Sequence, residues 1–280
     1  KSITPDGPDT PEDEKTGIRV TKPSDSKYDG EEHKNKPTVT DIKTDKVLVE
    51  GTDYKLTYSE NVINAGTVKA TVKGIGNYEG SFEVTYEITK RDVTLTSASD
   101  SKVYDKMALT NDTVTVSGDG FAEGEGATYD VTGSQTETGS SKNTFTYTLN
   151  EGTNADNYEI TKAEGTLKVT PVTDKVVVEI KGNTKTETYN GNTHEVKGYD
   201  VTKVSNALYP EEAIHFEGAA MASRKEEGTS YMGLNVSQFS NTSANFTNVT
   251  FRVTDGWLKV TPKSITPDGP DTPEDEKTGI

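Results

Sequence analysis

Short runs in which every second residue is apolar constrain this chain most, because a side-chain period of two is the signature of a β-strand with one buried face. In the run from Ser81 to Thr89, Phe82, Val84, Tyr86 and Ile88 alternate with Glu83, Thr85, Glu87 and Thr89. Val68, Ala70 and Val72 oppose Lys69, Thr71 and Lys73; Phe145, Tyr147 and Leu149 oppose Thr144, Thr146 and Thr148; Val176, Val178 and Ile180 oppose Val177, Glu179 and Lys181. The outer faces are rich in threonine, whose β-branched side chain suits a pleated surface. No amphipathic helix is evident; the nearest candidate is a single turn at Pro210-Glu211-Glu212. The reading is a mostly β protein.

A second constraint is an exact duplication. Residues 1–18 read KSITPDGPDTPEDEKTGI and residues 263–280 repeat them without a substitution, so position n maps to n+262. The simplest reading is one full period of a longer tandem array. Each copy holds three prolines and five acids against two lysines, and the two copies hold six of the chain's eleven prolines. Such a segment predicts an inter-unit linker with almost nothing to bury, semi-rigid because of its prolines. The net charge of −16 disfavours nucleic acid and anionic membranes as partners. The absence of cysteine excludes disulfide staples and thiolate metal sites. No apolar run is long enough to span a bilayer.

Between the copies lies a weaker repeat with three markers. The first is a turn after a tyrosine: Tyr28-Asp29-Gly30, Tyr104-Asp105-Lys106 and Tyr189-Asn190-Gly191. The second is an asparagine followed by an aromatic: Asn77-Tyr78, Asn157-Tyr158 and Asn245-Phe246. The third is a closing strand, over 82–88, 165–170 and 256–261, the last two sharing Leu-Lys-Val-Thr-Pro. These give a linker at 1–18, β modules at 19–91, 92–171 and 172–262, and a repeated linker at 263–280.

The markers resemble those of the YDG-type, or MBG-type, tandem modules of large bacterial surface proteins. The first module carries the resemblance best, with Glu50-Gly51-Thr52-Asp53-Tyr54, Asn64-Ala65-Gly66-Thr67 and Gly76-Asn77-Tyr78. Lys106 stands where the second module should have glycine, and the third shows no recognisable alanine-glycine turn near Glu227-Gly228-Thr229. The resemblance implies three small sandwich-like or β-grasp-like modules in an elongated rod, forming a stalk or adhesin segment at the surface of a Gram-positive bacterium. It also implies wall anchorage through another part of the parent chain, with neighbouring copies of the repeat as partners.

No catalytic constellation can be assembled. His33 and His194 both fall five residues after a marker tyrosine, but the second module has Leu109 there, which points to a packing or turn position. His215 reads as an exposed strand residue. No zinc spacing occurs, and the glycine-rich stretch around Phe121 lacks the lysine of a phosphate cradle and reads as a flexible strand connection. No cofactor is expected. Calcium is the one metal worth weighing, on the oxygen-rich run Asp6-Gly7-Pro8-Asp9 with Glu12-Asp13-Glu14, although no EF-hand spacing is present. Asn-x-Ser/Thr triplets begin at Asn111, Asn235, Asn241, Asn245 and Asn248, and the stretch 237–250 reads as a polar loop. Trp257, beside Leu258 and Val260, reads as core. The expectation is a non-enzymatic spacer. The alternative is a multivalent binder of a host glycan or glycoprotein through loops of the divergent third module.

Overall fold

The computed structural model describes residues 1–265 and 273–274. Among these it contains twenty-five strands and three single-turn 3₁₀ helices, one of them Glu211–Ala213 just after Pro210. No helix of the described residues is long and apolar enough to cross a membrane.

The three sequence segments read as modules have related strand plans. An opening strand (Ile18–Thr21, Arg91–Ser97 and Val176–Gly182) pairs antiparallel with a later strand of its module. In the second and third modules it also pairs parallel with the strand that follows the Asn-aromatic marker, Tyr158–Ala163 and Val249–Thr254. The chain then changes sheet. In the first and third modules a second strand (Ser26–Lys27, Thr184–Thr188) runs parallel to the closing strand (Ser81–Thr89, Trp257–Thr261). The alternation of the sequence decides which faces are covered. Val68, Ala70 and Val72 are fully buried, as are Val176 and Val178, while the intervening Lys69 and Lys73 point to solvent.

The chain divides into two compact units that do not follow the module boundaries. One comprises Lys1–Asp100, Thr110–Ser134 and Ser141–Leu167; the other comprises Ser101–Leu109, Gln135–Ser140 and Lys168–Ile280. The reason is visible in the first unit's larger core. It mixes Tyr28, Val68, Ala70, Tyr86 and Ile88 of the first module with Val93, Leu95, Phe145 and Tyr158 of the second. A module of some eighty residues has little apolar surface to close a core alone, and here the first and second modules share one.

The segment 1–18 is not the free linker that its composition suggests. Ile3 is fully buried and Ile18 nearly so, in a core with Val39, Leu48, Tyr54 and Val72. Residues 1–3 act as the first part of the opening strand: Ser2 bridges Glu79 in parallel, the Ile3 N–H donates to the Glu79 carbonyl at 2.9 Å, and Glu79 N–H donates to Lys1. The Pro-rich acidic stretch 4–17 is then an excursion between the two halves of that strand. Asp6 closes its base, accepting hydrogen bonds from the backbone N–H of Thr16 and Gly17 and from the Thr16 hydroxyl. The Lys1 ammonium pairs with the buried Asp41 carboxylate, which the Tyr78 hydroxyl also reaches. Prolines and acids misled the composition argument because only Ile3, Gly17 and Ile18 of this stretch are buried. The repeated copy 263–280 lies outside the described residues beyond Ile265, apart from 273–274.

Two outcomes follow. Ile3→Ala should cost about 2–4 kcal/mol in denaturant unfolding, as for other aliphatic truncations in a packed core; a free linker would tolerate it within about 0.5 kcal/mol. The second concerns acid. Hydrogen bonds from Lys1 and Tyr78 outweigh burial and hold Asp41 below its ordinary value, and Lys46 with the Val49 N–H does the same for Asp53. Burial works against ionisation of Asp6 as well, but the Thr16 and Gly17 donors prevail and lower it. Carboxyls depressed in the folded state stabilise it above the ordinary value of 3.8 and lose that contribution as pH falls through the folded values. The melting temperature should therefore drop below about pH 4, less steeply in Asp41→Asn, measured by thermal unfolding across pH.

Candidate functional site: the joints between modules

The repeat markers do not gather into one cleft. Four of the six meet in two pairs, Tyr28 with Asn157-Tyr158 and Tyr104 with Asn245-Phe246, each joining one module to the next. In every module the marker tyrosine donates its backbone N–H to the last threonine of its own closing strand: Tyr28 to Thr89, Tyr104 to Thr170 and Tyr189 to Thr261, at 2.8–2.9 Å. The residue after it turns the chain by accepting the N–H two positions on, Asp29 from Glu31, Asp105 from Met107 and Asn190 from Asn192. The third marker position has positive φ throughout, 91° at Gly30, 67° at Lys106 and 82° at Gly191. Lys106 thus holds the left-handed conformation despite its side chain.

At the first joint the Tyr28 ring meets the Tyr158 ring of the second module edge to face, centroids 5.7 Å apart, and both hydroxyls donate to Glu125. Such pairs contribute about 0.5–1.5 kcal/mol beyond area burial. Burial and the Glu125 carboxylate both push the Tyr158 and Tyr28 hydroxyls upward, so they stay neutral donors. Asn157, 1% exposed, reaches into the first module: its Oδ1 accepts the Ala65 N–H and its Nδ2 donates to Asn64 Oδ1, both at 2.9 Å. The Phe121 loop, expected as a flexible connection, is tied down here. Arg91 donates to the carbonyls of Asp119, Gly120 and Tyr28, and Lys27 pairs with Asp119 at 2.6 Å.

The second joint repeats the device. Tyr104 meets Phe246 edge to face at 5.8 Å; Asn245 Oδ1 accepts the Thr138 N–H at 2.8 Å, and its Nδ2 donates to the Glu137 carboxylate. The receiving residues precede Gly66 in one case and Gly139 in the other, with φ of 141° and 149°. Such backbone is open to glycine alone among common residues. The third module has its counterpart after all. Gly228, φ 129°, pairs with Val260 one residue before the end of its closing strand, as Gly66 pairs with Ile88. The turn is hidden in the sequence because Glu226-Glu227 replaces Asn64-Ala65, and only backbone register reveals the equivalence.

The other candidates have structural employment or none. His33 donates its N–H to Val62, Leu109 pairs with Gln135, and His194 lies opposite Arg224; each partner lies four residues before the glycine of its module. His215 is exposed on the strand Ile214–Phe216. Among the described residues no group of three or more His, Asp or Glu is placed to hold a metal ion. Asp6 spends its carboxylate on Thr16 and Gly17. The stretch 237–250 is not a simple loop, since Phe239–Asn241 pairs with Ile214–Phe216. Phe239 there packs against Tyr199, Phe216 and Phe251, an aromatic cluster that residues so far apart in sequence did not reveal. Leu258 and Val260 face the core; Trp257 sits half-buried on the opposite face, beside its register partner Tyr231, which is 68% exposed.

No protein-family model matches this chain, and no curated protein matches it. Asn157→Ala should cost about 1–3 kcal/mol, because it strands the Ala65 N–H in a buried joint. Asn77→Ala, at the exposed counterpart, should stay within about 0.5 kcal/mol. Chemical denaturation of the two variants checks the contrast.

Proposed function

We propose that the chain is a non-enzymatic repeat segment of a bacterial surface adhesin of the YDG or MBG kind, a stalk that projects a binding region by stringing modules end to end. One observation carries this reading: at two places the residues that recur from module to module are spent on joints. A repeat whose shared residues served a ligand would present them on an open surface. Here Tyr28, Asn157, Tyr158, Tyr104, Asn245 and Phe246 are all buried where modules meet. The acidic surface keeps neighbouring stalks apart. Small-angle scattering of the 280-residue chain tests it: an extended profile is expected, and a compact globular one would defeat the stalk.

A second reading, a binder of a host glycan or glycoprotein, is favoured by Tyr231 beside Trp257 on an open face of the third module. Aromatic faces of that kind suit sugar rings. Binding of the chain to glycan arrays or mucin, abolished in Tyr231→Ala, would move the assignment to this reading.

A further inference from the structure

Two joint halves in this chain are without their complement. Tyr189, unlike Tyr28 and Tyr104, is only half-buried, and no ring among the described residues packs against it. Beside it lies a hollow of ≈ 480 Å³ lined by Tyr189, Glu226, Glu227, Pro262, Lys263 and Ile265. Glu226 and Glu227 are the two residues before Gly228, the positions that in the other joints receive an asparagine: Asn64-Ala65 before Gly66 and Glu137-Thr138 before Gly139. At the opposite end of the period, Asn77 is exposed and Tyr78 half-buried, whereas Asn157-Tyr158 and Asn245-Phe246 are buried in their joints.

We propose that Tyr189, Glu226 and Glu227 are the receiving half of a third joint, whose inserting half is Asn77-Tyr78 of a following copy of the same sequence. The connecting chain is built for it. Thr170-Pro171-Val172 leads into the third module, and Val172 donates its N–H to Asn245 while accepting from Thr247. Lys1 makes the same pair of contacts, donating to Asn77 and accepting from Glu79. Lys263 repeats Lys1 and follows Thr261-Pro262, so a following copy would start one residue after the closing strand, just as the third module does. Ile265 adds an independent sign. It repeats Ile3, which is fully buried, yet is itself 82% exposed; apart from Ile18, the residues of the Ile3 core belong to 19–262, present once in this chain.

In the third joint Asn77 Oδ1 accepts the Glu227 N–H, its Nδ2 donates to the Glu226 carboxylate as Asn245 does to Glu137, and Tyr78 meets Tyr189 edge to face. The contact is head to tail, so it propagates instead of closing. The period boundary is then a joint like the two inside the period, not a flexible linker. This holds whether the array is a spacer or a binder.

The test uses a two-period chain, residues 1–262 followed directly by 1–280, beside the single chain, with amide hydrogen exchange read by NMR. Glu227 of the first copy should exchange at least about tenfold more slowly than Glu227 of the single chain, approaching the protection of Ala65 and Thr138. Asn77→Ala in the second copy should return Glu227 to the fast rate while Ala65 and Thr138 stay protected, which shows that the variant has folded. Equal exchange of Glu227 in the single and two-period chains, with Ala65 and Thr138 protected in both, would overturn the proposal.

Discussion

A single residue separates the last strand of one module from the first hydrogen-bonded residue of the next: Lys90 between Thr89 and Arg91, Pro171 between Thr170 and Val172. One residue spans only about 3.5 Å, so neighbouring sheets are held against each other by covalent geometry before any side chain acts. Everything else at the joints follows from that tether. The marker tyrosine is fixed by its N–H to the closing threonine, beside the tether itself, and the Asn-aromatic pair of the following module is fixed by the opening strand that the tether feeds. The two markers meet because both are anchored to the ends of the same short connection.

This arrangement relieves the weakness of a thin β module. Eighty residues in a few small sheets have little apolar surface with which to cover one another. Stacking supplies the cover, which is why the core containing Tyr28 and Tyr158 draws on two modules and why the compact units cut through the second module. Repeat arrays stabilised by nearest-neighbour interfaces gain stability with each added copy, and a marker set conserved in role tolerates change in identity. Phe246 serves where Tyr158 does, and Glu137 accepts where Asn64 does.

The strands were legible from their alternation: Val68, Ala70, Val72 and Val176, Val178, Ile180 are buried as period two requires. The marker residues were legible too, but not their purpose, because a tyrosine and an asparagine some 130 residues apart carry no sign of meeting. Composition misjudged residues 1–18. Proline and acid dominate there, yet the decisive residues are Ile3, whose burial depends on partners far along the chain, and Asp6, whose carboxylate folds the excursion back on itself. Gly228 escaped notice because its neighbours changed while its backbone did not.

If the repeated markers hold adjacent modules together, they couple them energetically. A double-mutant cycle between Tyr28 and Tyr158, each changed to leucine singly and together, measures that coupling through unfolding free energies. A coupling of about 0.5–1.5 kcal/mol is expected, since the rings touch and share Glu125. Strict additivity of the two substitutions, with both variants folded, would contradict it.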